Sequence, residues 1–309
     1  YGNIGSAFRS AGPRIGFTSL LTCCVAQGGT DNLGSIEDLV FQDDERSTAY
    51  ELGFKATFLD KRARLNVAVF KQDFDNYYFV TKPVRYIGVS DPLDPASSNV
   101  SSSEFTTGAD ASVKGFDIEA GMAFTDNFWL NLGFSWSKGN LKDAIIPCND
   151  GNFDGTPDDI VPTAQDFVDN GVLVARCASD ETIARTSRWN LTAQSEYSHA
   201  LTDGVDGFIR GNLVYYPDNP NASDAREIDK YALVNLYLGL RDPSSNWELT
   251  AFANNLLNEQ QILSYNSVQQ TSAGGAEAFF GRPASGYNAV SMTPRREFGL
   301  QLRYSFGSR

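Results

Sequence analysis

One feature limits this chain more than any other: an alternation of period two that recurs up to its C-terminal end. In YELGFKATFL (50–59), Tyr50, Leu52, Phe54, Ala56 and Phe58 fall on one face, and Glu51, Gly53, Lys55 and Thr57 on the other. The turn Asp60-Lys61-Arg62 then leads into a second such segment, ARLNVAVFKQDF (63–74). Ten strands are predicted, at roughly 1–10, 47–59, 63–78, 110–124, 128–141, 186–200, 205–217, 228–241, 246–257 and 295–306. Short turns at 60–62, 125–127, 201–204 and 242–245 alternate with longer polar loops at about 11–46, 79–109, 142–185, 218–227 and 258–293. A greasy face, a polar face and turns of alternating length predict an all-β fold, a transmembrane antiparallel β-barrel.

Composition narrows the possibilities. No run of 18 apolar residues occurs, so no transmembrane helix is expected. Mean hydropathy is −0.30, which does not oppose a barrel, since only alternate side chains of each strand meet lipid. The opening YGNIGSAFRS has no initiator Met, no basic start and no apolar secretory core, and it reads as part of a strand. A mature, shortened chain is expected from that opening. Aromatics cluster near strand ends, at Tyr77, Tyr78 and Phe79, Phe128 and Trp129, Tyr215 and Tyr216, and Tyr304 and Phe306. They read as interfacial girdles, with stacking on a ligand the alternative reading for Tyr77 and Tyr78.

The net charge is −13, of which loop 11–46 holds −4 (six acids, two bases) and loop 142–185 holds −6 (nine acids, three bases). This sign argues against nucleic-acid binding. It suits solvated loops, or cation capture, either to bridge lipopolysaccharide or to bind a metal or cationic solute. Within loop 142–185, Asp150, Asn152, Asp154 and Asp158 stand at positions one, three, five and nine of a calcium-loop pattern, with Gly155 at six. Position twelve is Val161 instead of a bidentate Glu, and no helical flanks are read around it. Calcium is therefore a candidate ligand beside a plain acidic turn, and no other cofactor is expected.

All four cysteines lie in long loops, where an oxidising exterior favours disulfides. Cys148 and Cys177 are expected to pair at the base of loop 142–185. For the adjacent Cys23 and Cys24, a vicinal bridge, a bond to another chain and two free thiols all stay open. Arg295 and Arg296 open the last strand near the outer mouth and are candidate contacts for an anionic solute. Asn254 and Asn255 read as backbone caps at the rim. No G-x-S-x-G, paired-metal or phosphate-cradle pattern occurs, and the single histidine, His199, sits beside a short turn, so catalysis is not expected.

Four passages together resemble the C-terminal part of the barrel of TonB-dependent outer-membrane receptors. IGSAFRSAGP (4–13) is similar to an outward strand of that family. ERSTAYELGFKATFLDKRARLNVAVF (45–70) resembles one of its hairpins, with Asp44 where the family often has Pro. VKGFDIEAGMAFTDNFWLNLGFSW (113–136) resembles a second hairpin, with Asp117 in place of a Glu. WELTAFANNLLNEQ (247–260) and TPRREFGLQLRYSF (293–306) resemble the last hairpin and closing strand, although the chain ends three residues after Phe306.

The resemblance covers nearly all of residues 1–309 and implies ten strands of a 22-stranded barrel, without plug domain or TonB box. It implies active uptake of a scarce solute: a ferric siderophore, haem, cobalamin or an oligosaccharide. The implied partners are the lipid bilayer and lipopolysaccharide of a Gram-negative outer membrane, the small-molecule ligand, and the TonB complex acting through a plug. The remaining barrel strands come from the rest of the receptor or from another chain. The alternatives are a self-closed ten-stranded barrel acting as pore, adhesin or hydrolase, and a structural subunit of an envelope assembly.

Overall fold

The computed structural model describes residues 1–13, 41–89, 98–172, 174–184, 186–223, 226–244, 246–266 and 289–306. Cys23, Cys24 and the acids between residues 14 and 40 lie outside the described residues.

Ten strands form one sheet: β1 (Gly2–Arg9), β2 (Glu45–Phe58), β3 (Ala63–Val80), β4 (Thr106–Thr125), β5 (Phe128–Leu141), β6 (Trp189–Thr202), β7 (Val205–Tyr216), β8 (Tyr231–Arg241), β9 (Trp247–Asn254) and β10 (Glu297–Tyr304). Their order in the sheet is their order in the chain, as in an up-and-down meander. The number of strands is the one read from the alternation. Their ends differ from the sequence reading by up to four residues: β4 begins four residues earlier, whereas β6 and β8 begin three residues later.

The short turns close as tight backbone structures. Leu59, Asp60 and Lys61 all take positive φ (53°, 52° and 68°), and the Arg62 N–H donates to the Leu59 carbonyl at 3.0 Å. The Arg62 guanidinium then donates to the carbonyls of Ala123 (3.0 Å) and Phe124 (2.6 Å), which fastens one hairpin end to the next. At the turn after β8, the Asp242 carboxylate accepts from the backbone (3.2 Å) and side-chain (2.8 Å) N–H of Asn246.

The described parts of the long loops carry more regular structure than their composition suggests. Two-stranded ribbons occupy Val84–Val89 with Ser98–Ser103, Ala144–Pro147 with Arg176–Ser179, Asn219–Ser223 with Arg226–Ile228, and Ile262–Asn266 with Ala289–Met292. A six-residue helix, α1 (Ala164–Asp169), follows the acidic turn that the sequence reads as lacking helical flanks.

Two compact units divide the chain, residues 1–52, 70–114 and 138–184, and residues 53–69, 115–137 and 185–309. They bury different things. Among the described residues, 14 of the 17 buried apolar side chains belong to the first unit. Its core includes Ile87, Ala111, Leu141, Ile146 and Phe167, packed as in a water-soluble domain. The second unit instead turns its large apolar side chains outward: Phe54, Leu132, Ile209, Leu238, Leu249 and Leu300 are 41–77% exposed. They fall on the alternate, mostly apolar positions of their strands, so this face of the sheet is greasy. Such a face is stable only against lipid or another apolar surface.

Two aromatic belts bound that face. Phe116, Phe134, Trp136, Trp189 and Tyr215 stack in sequence across β4–β7 with centroids 5.4–5.8 Å apart. Phe124 stacks on Phe128 at 5.4 Å around the opposite turn. Eight residues separate Phe116 from Phe124, about 26 Å along a strand. At a tilt of about 40° this is roughly 20 Å along the bilayer normal, close to the ~25 Å apolar band of outer-membrane barrels.

Candidate functional site

In the first unit, loop 142–185 is a small stapled fold. Cys148 and Cys177 are disulfide-bonded, with Cα atoms 5.8 Å apart, at the end of the Ala144–Pro147 ribbon. Asn149, the next residue, braces the staple against a second ribbon: its Nδ2 donates to the Pro83 carbonyl (3.0 Å) and its Oδ1 accepts from the Arg85 N–H (2.9 Å). A backbone bridge joins Tyr86 to Val174. Beneath the acidic turn, the Phe167 ring of α1 meets Phe153 edge-on, with centroids 5.3 Å apart. Thr163 caps α1, accepting from the Asp166 N–H at 3.3 Å, while the Asp166 carboxylate accepts from the Thr163 N–H at 2.7 Å.

The structure draws the four calcium-pattern residues into one turn. Asp150 is buried, and its two oxygens accept from the N–H groups of Asp154 (3.2 Å) and Gly155 (2.7 Å). Gly155 sits at φ +84°, a conformation that disfavours a side chain, and this is what reverses the loop. Asn152 accepts from the Asp154 N–H (3.1 Å) and donates to the Asp154 carboxylate (3.2 Å). Asp158 reaches back over the turn, accepting from Gly151 (2.9 Å) and Ile160 (2.8 Å). The Cys148 and Cys177 sulfurs also lie beside Asp150, but their disulfide leaves no thiolate for a metal.

Those donors, the Gly151 N–H foremost, hold the Asp158 carboxyl below its usual range. A depressed folded pKa contributes order that is complete above the unfolded value of about 3.9 and is lost as pH falls through the folded one. The amide resonances of Gly151 and Ile160, whose N–H groups donate to this carboxylate, should therefore not follow its titration between pH 8 and 5 and should shift with it only below about pH 4. Titration near pH 6 would contradict this.

Tyr77 and Tyr78 lie at the end of β3, and both are engaged within the protein. The Arg9 guanidinium covers the Tyr78 ring at 3.8 Å and pairs with Glu45 at 2.7 Å. The Tyr78 N–H donates to the same Glu45 carboxylate (2.8 Å), and its hydroxyl donates to the carbonyls of Ser10 (3.1 Å) and Asp43 (3.0 Å). Tyr78 thus clasps β1, β2 and β3. Tyr77 packs edge-on against Phe74 at 5.3 Å, beside the Ala111–Leu141–Ile146 cluster.

Arg295 and Arg296 belong to the second unit and are exposed. Arg296 lies 5.7 Å from the Phe298 ring and donates to the Leu256 carbonyl at 3.4 Å. The entry to β10 is set by Asn255, buried at φ +48°. Its N–H donates to Asn235 (2.8 Å), its side-chain amide to the carbonyls of Glu259 (2.8 Å) and Pro294 (2.7 Å), and its side-chain oxygen accepts from Glu259 (2.9 Å). This is the capping role read from the sequence.

One cluster escapes sequence reading. Glu196 on β6 is buried and accepts from Arg210 on β7 (2.6 Å) and Arg241 on β8 (2.8 Å), with the Phe208 ring 5.1 and 5.2 Å from the two guanidinium carbons. Alternation puts each of these residues on a polar face, but only register makes them neighbours. Replacing Glu196 by Gln leaves two cations facing each other. Because both arginines keep some solvent, the expected cost is about 1–2 kcal/mol, less than for a fully buried pair. A urea midpoint unchanged from the unaltered protein would refute this.

A two-faced meander whose short turns alternate with long connections has a known counterpart. Residues 1–256 match the family model described as TonB dependent receptor-like, beta-barrel. The chain belongs to that family. It is a family of outer-membrane β-barrels, and no described helix is long and apolar enough to cross a membrane.

Solved structures agree in fold. The ferric yersiniabactin uptake receptor FyuA from Yersinia pestis matches 99% of this chain and 34% of its own, at 10% identity and a TM-score of 0.56. The copper transporter OprC matches 99% and 37%, at 13% identity and 0.53. FpvA of P. aeruginosa, bound to a heterologous pyoverdine, matches 99% and 30%, at 13% identity and 0.51. This TonB-dependent receptor barrel chain therefore spans about a third of the length of the structures it matches.

Proposed function

We propose that this chain is the C-terminal portion of the barrel of an active-transport receptor in a Gram-negative outer membrane. It crosses the bilayer with ten strands and takes up a scarce solute such as a ferric siderophore, haem, cobalamin or an oligosaccharide. It binds and guides rather than catalyses. The observation that carries this reading is the outward apolar face between two aromatic belts, on a chain of this family.

The edges point the same way. Among the described residues, β1 and β10 have one sheet neighbour each, and all eight residues of β1 are exposed. Unpaired backbone groups in hydrocarbon cost several kcal/mol each, so further strands of the receptor are needed at both edges, which disfavours a self-closed ten-stranded barrel. Lipopolysaccharide meets the outer belt, and the TonB complex acts through a plug that lies in the rest of the receptor.

The test is uptake. Cells expressing the complete reading frame should accumulate one labelled solute from a panel of ferric chelates, haem, cobalamin and oligosaccharides, and lose accumulation when TonB is deleted. Uptake of none, or TonB-independent leakage of all, would refute the reading.

A second ligand is calcium at Asp150, Asn152, Asp154 and Asp158, with Gly155 supplying the reversal that such a loop needs. Saturable calcium binding, weakened at least tenfold by Asp154→Asn, is the expected result. Calorimetry showing no saturable heat would remove it.

A further inference from the structure

We propose that Lys71, Lys114 and Lys138, which stand abreast on β3, β4 and β5, bind phosphate groups of lipopolysaccharide directly, with no bridging divalent cation. This rests on the outer-membrane reading and gives that contact its residues and its chemistry.

Register makes the row, which lies in the first unit. The Ser112 hydroxyl on β4 donates to the Asp73 carboxylate on β3, so the two stand opposite each other. Eleven residues down both strands, the Ala123 N–H donates to the Arg62 carbonyl at 2.8 Å, so that register holds between them. On the other side of β4, the Lys142 N–H donates to the Asp110 carbonyl at 2.8 Å, and a Cβ added at Gly139 would come within 3.1 Å of Val113. Ser112 therefore also stands opposite Asn140. Two residues nearer the short turns, on the same face, come Lys71, Lys114 and Lys138. Neighbouring strands lie about 4.8 Å apart, so the row is about 10 Å wide.

The row points away from the interior. Ala109 and Ala111, at the alternate positions of β4, are buried with Leu141, Ala144 and Ile146, so Ser112 and Lys114 face the other way. Lys114 is exposed and Lys138 half-buried. Along the unbroken strands, the next residues on that face are Phe116 and Trp136, the stacked pair of the aromatic belt.

Acids on this face leave the row under-neutralised. Asp73 is shared between Lys71 (2.7 Å) and Lys142. Asp75 and Asp110 stand four residues further from the short turns. Asp110 accepts from the Asn76 N–H (3.3 Å), and Asp75 lines a depression with Arg46 and Asp44. Among the described residues, none forms an ion pair with Lys114 or Lys138. Like charges directly opposite each other destabilise a sheet, so three adjacent ammonium groups call for anions from outside. Phosphate suits them: each ammonium is a compact charge with three donors, and each phosphate brings several acceptor oxygens. The neighbourhood selects the carrier. A free anion gains nothing from an apolar wall, whereas a lipid sets its phosphates on the row and its chains against the wall below. The row lies toward the long loops, on the outer side of the membrane, where the lipid is lipopolysaccharide. Its several phosphates match the width of the row, and the lysines neutralise them without a metal.

The complete receptor, purified in detergent and freed of lipid, is titrated in excess EDTA. The probes are lipopolysaccharide, enzymatically dephosphorylated lipopolysaccharide, phosphatidylglycerol and inorganic phosphate. Lipopolysaccharide should bind at least tenfold more tightly than the other three. Lys114→Gln with Lys138→Gln should weaken it at least tenfold, through the loss of two cations beside anionic lipid. Lys138→Gln alone should weaken it severalfold and serves if the double variant does not fold. Lys61→Gln, in a short turn at the other end of the strands, should bind as the unaltered receptor does. Unchanged binding in the folded variants overturns the proposal, and so does binding that EDTA abolishes. Equal affinity for any of the other three probes overturns it as well. A failed titration with TonB-dependent uptake intact removes this proposal and leaves the transport reading standing.

Discussion

Exchanging Cys148 and Cys177 together for serine is expected to open loop 142–185 while leaving the sheet of the second unit intact. The cross-link spans 29 residues. Chain-entropy arguments put its contribution at about 3–4 kcal/mol for a loop of that length. The fold it holds is small: Ala175, Phe153 and Phe167 pack near the bond, and Asn149 ties its base to the neighbouring ribbon. A core of this size has little else to offset the entropy of ordering some forty residues. Protease cleavage between residues 150 and 175 should rise at least a hundredfold in the variant. The urea midpoint of the membrane sheet should stay within error, because the cross-link and the residues packed on it belong to the first unit. Unchanged cleavage would mean that the ribbons alone hold the loop. A collapsed sheet midpoint would mean that the units fold as one.

Legibility followed the strength of the physical signal. The wall was readable because a residue misplaced by one position would swap lipid for water, so selection writes the alternation plainly. Leu238 and Leu300 are exposed where the period puts them outside. The cysteine pair was readable for a different reason: only loops hold cysteine, and one pairing closes the base of a long one. The ribbons at Val84–Val89 and Ile262–Asn266 were not readable, because Pro, Ser and Asn around them carry the usual marks of loop. The Glu196 cluster was invisible for want of register. Each residue is locally an ordinary polar position, and its meaning arises only when β6, β7 and β8 are laid side by side. Tyr78 shows the reverse case. An aromatic at a strand end suggests a ligand, yet Arg9, Glu45 and two carbonyls engage it within the protein.

Leu132→Arg should destabilise the membrane-inserted receptor by about 2–4 kcal/mol, the cost of a guanidinium at the lipid-facing midplane of a β-barrel. Leu132 lies on β5 between Phe128 at one aromatic belt and Trp136 at the other, four residues from each, and it is 41% exposed. Its cross-strand partner, Ala193, is too small to hide the new charge. Phe124→Arg, beside the short turn, places the same group at an interface, where the cost falls to about 0–1 kcal/mol. Ser135→Arg, three positions along the same strand, points to the polar face and should cost no more than that. Unfolding in phospholipid vesicles, followed by urea midpoint, separates the three. A soluble sheet would order them differently: with water on both sides, Leu132→Arg would cost little, since an exposed leucine there would have nothing to lose. Equal midpoints for Leu132→Arg and Ser135→Arg would therefore show that the apolar face does not meet lipid, and the two-faced wall would lose its physical basis.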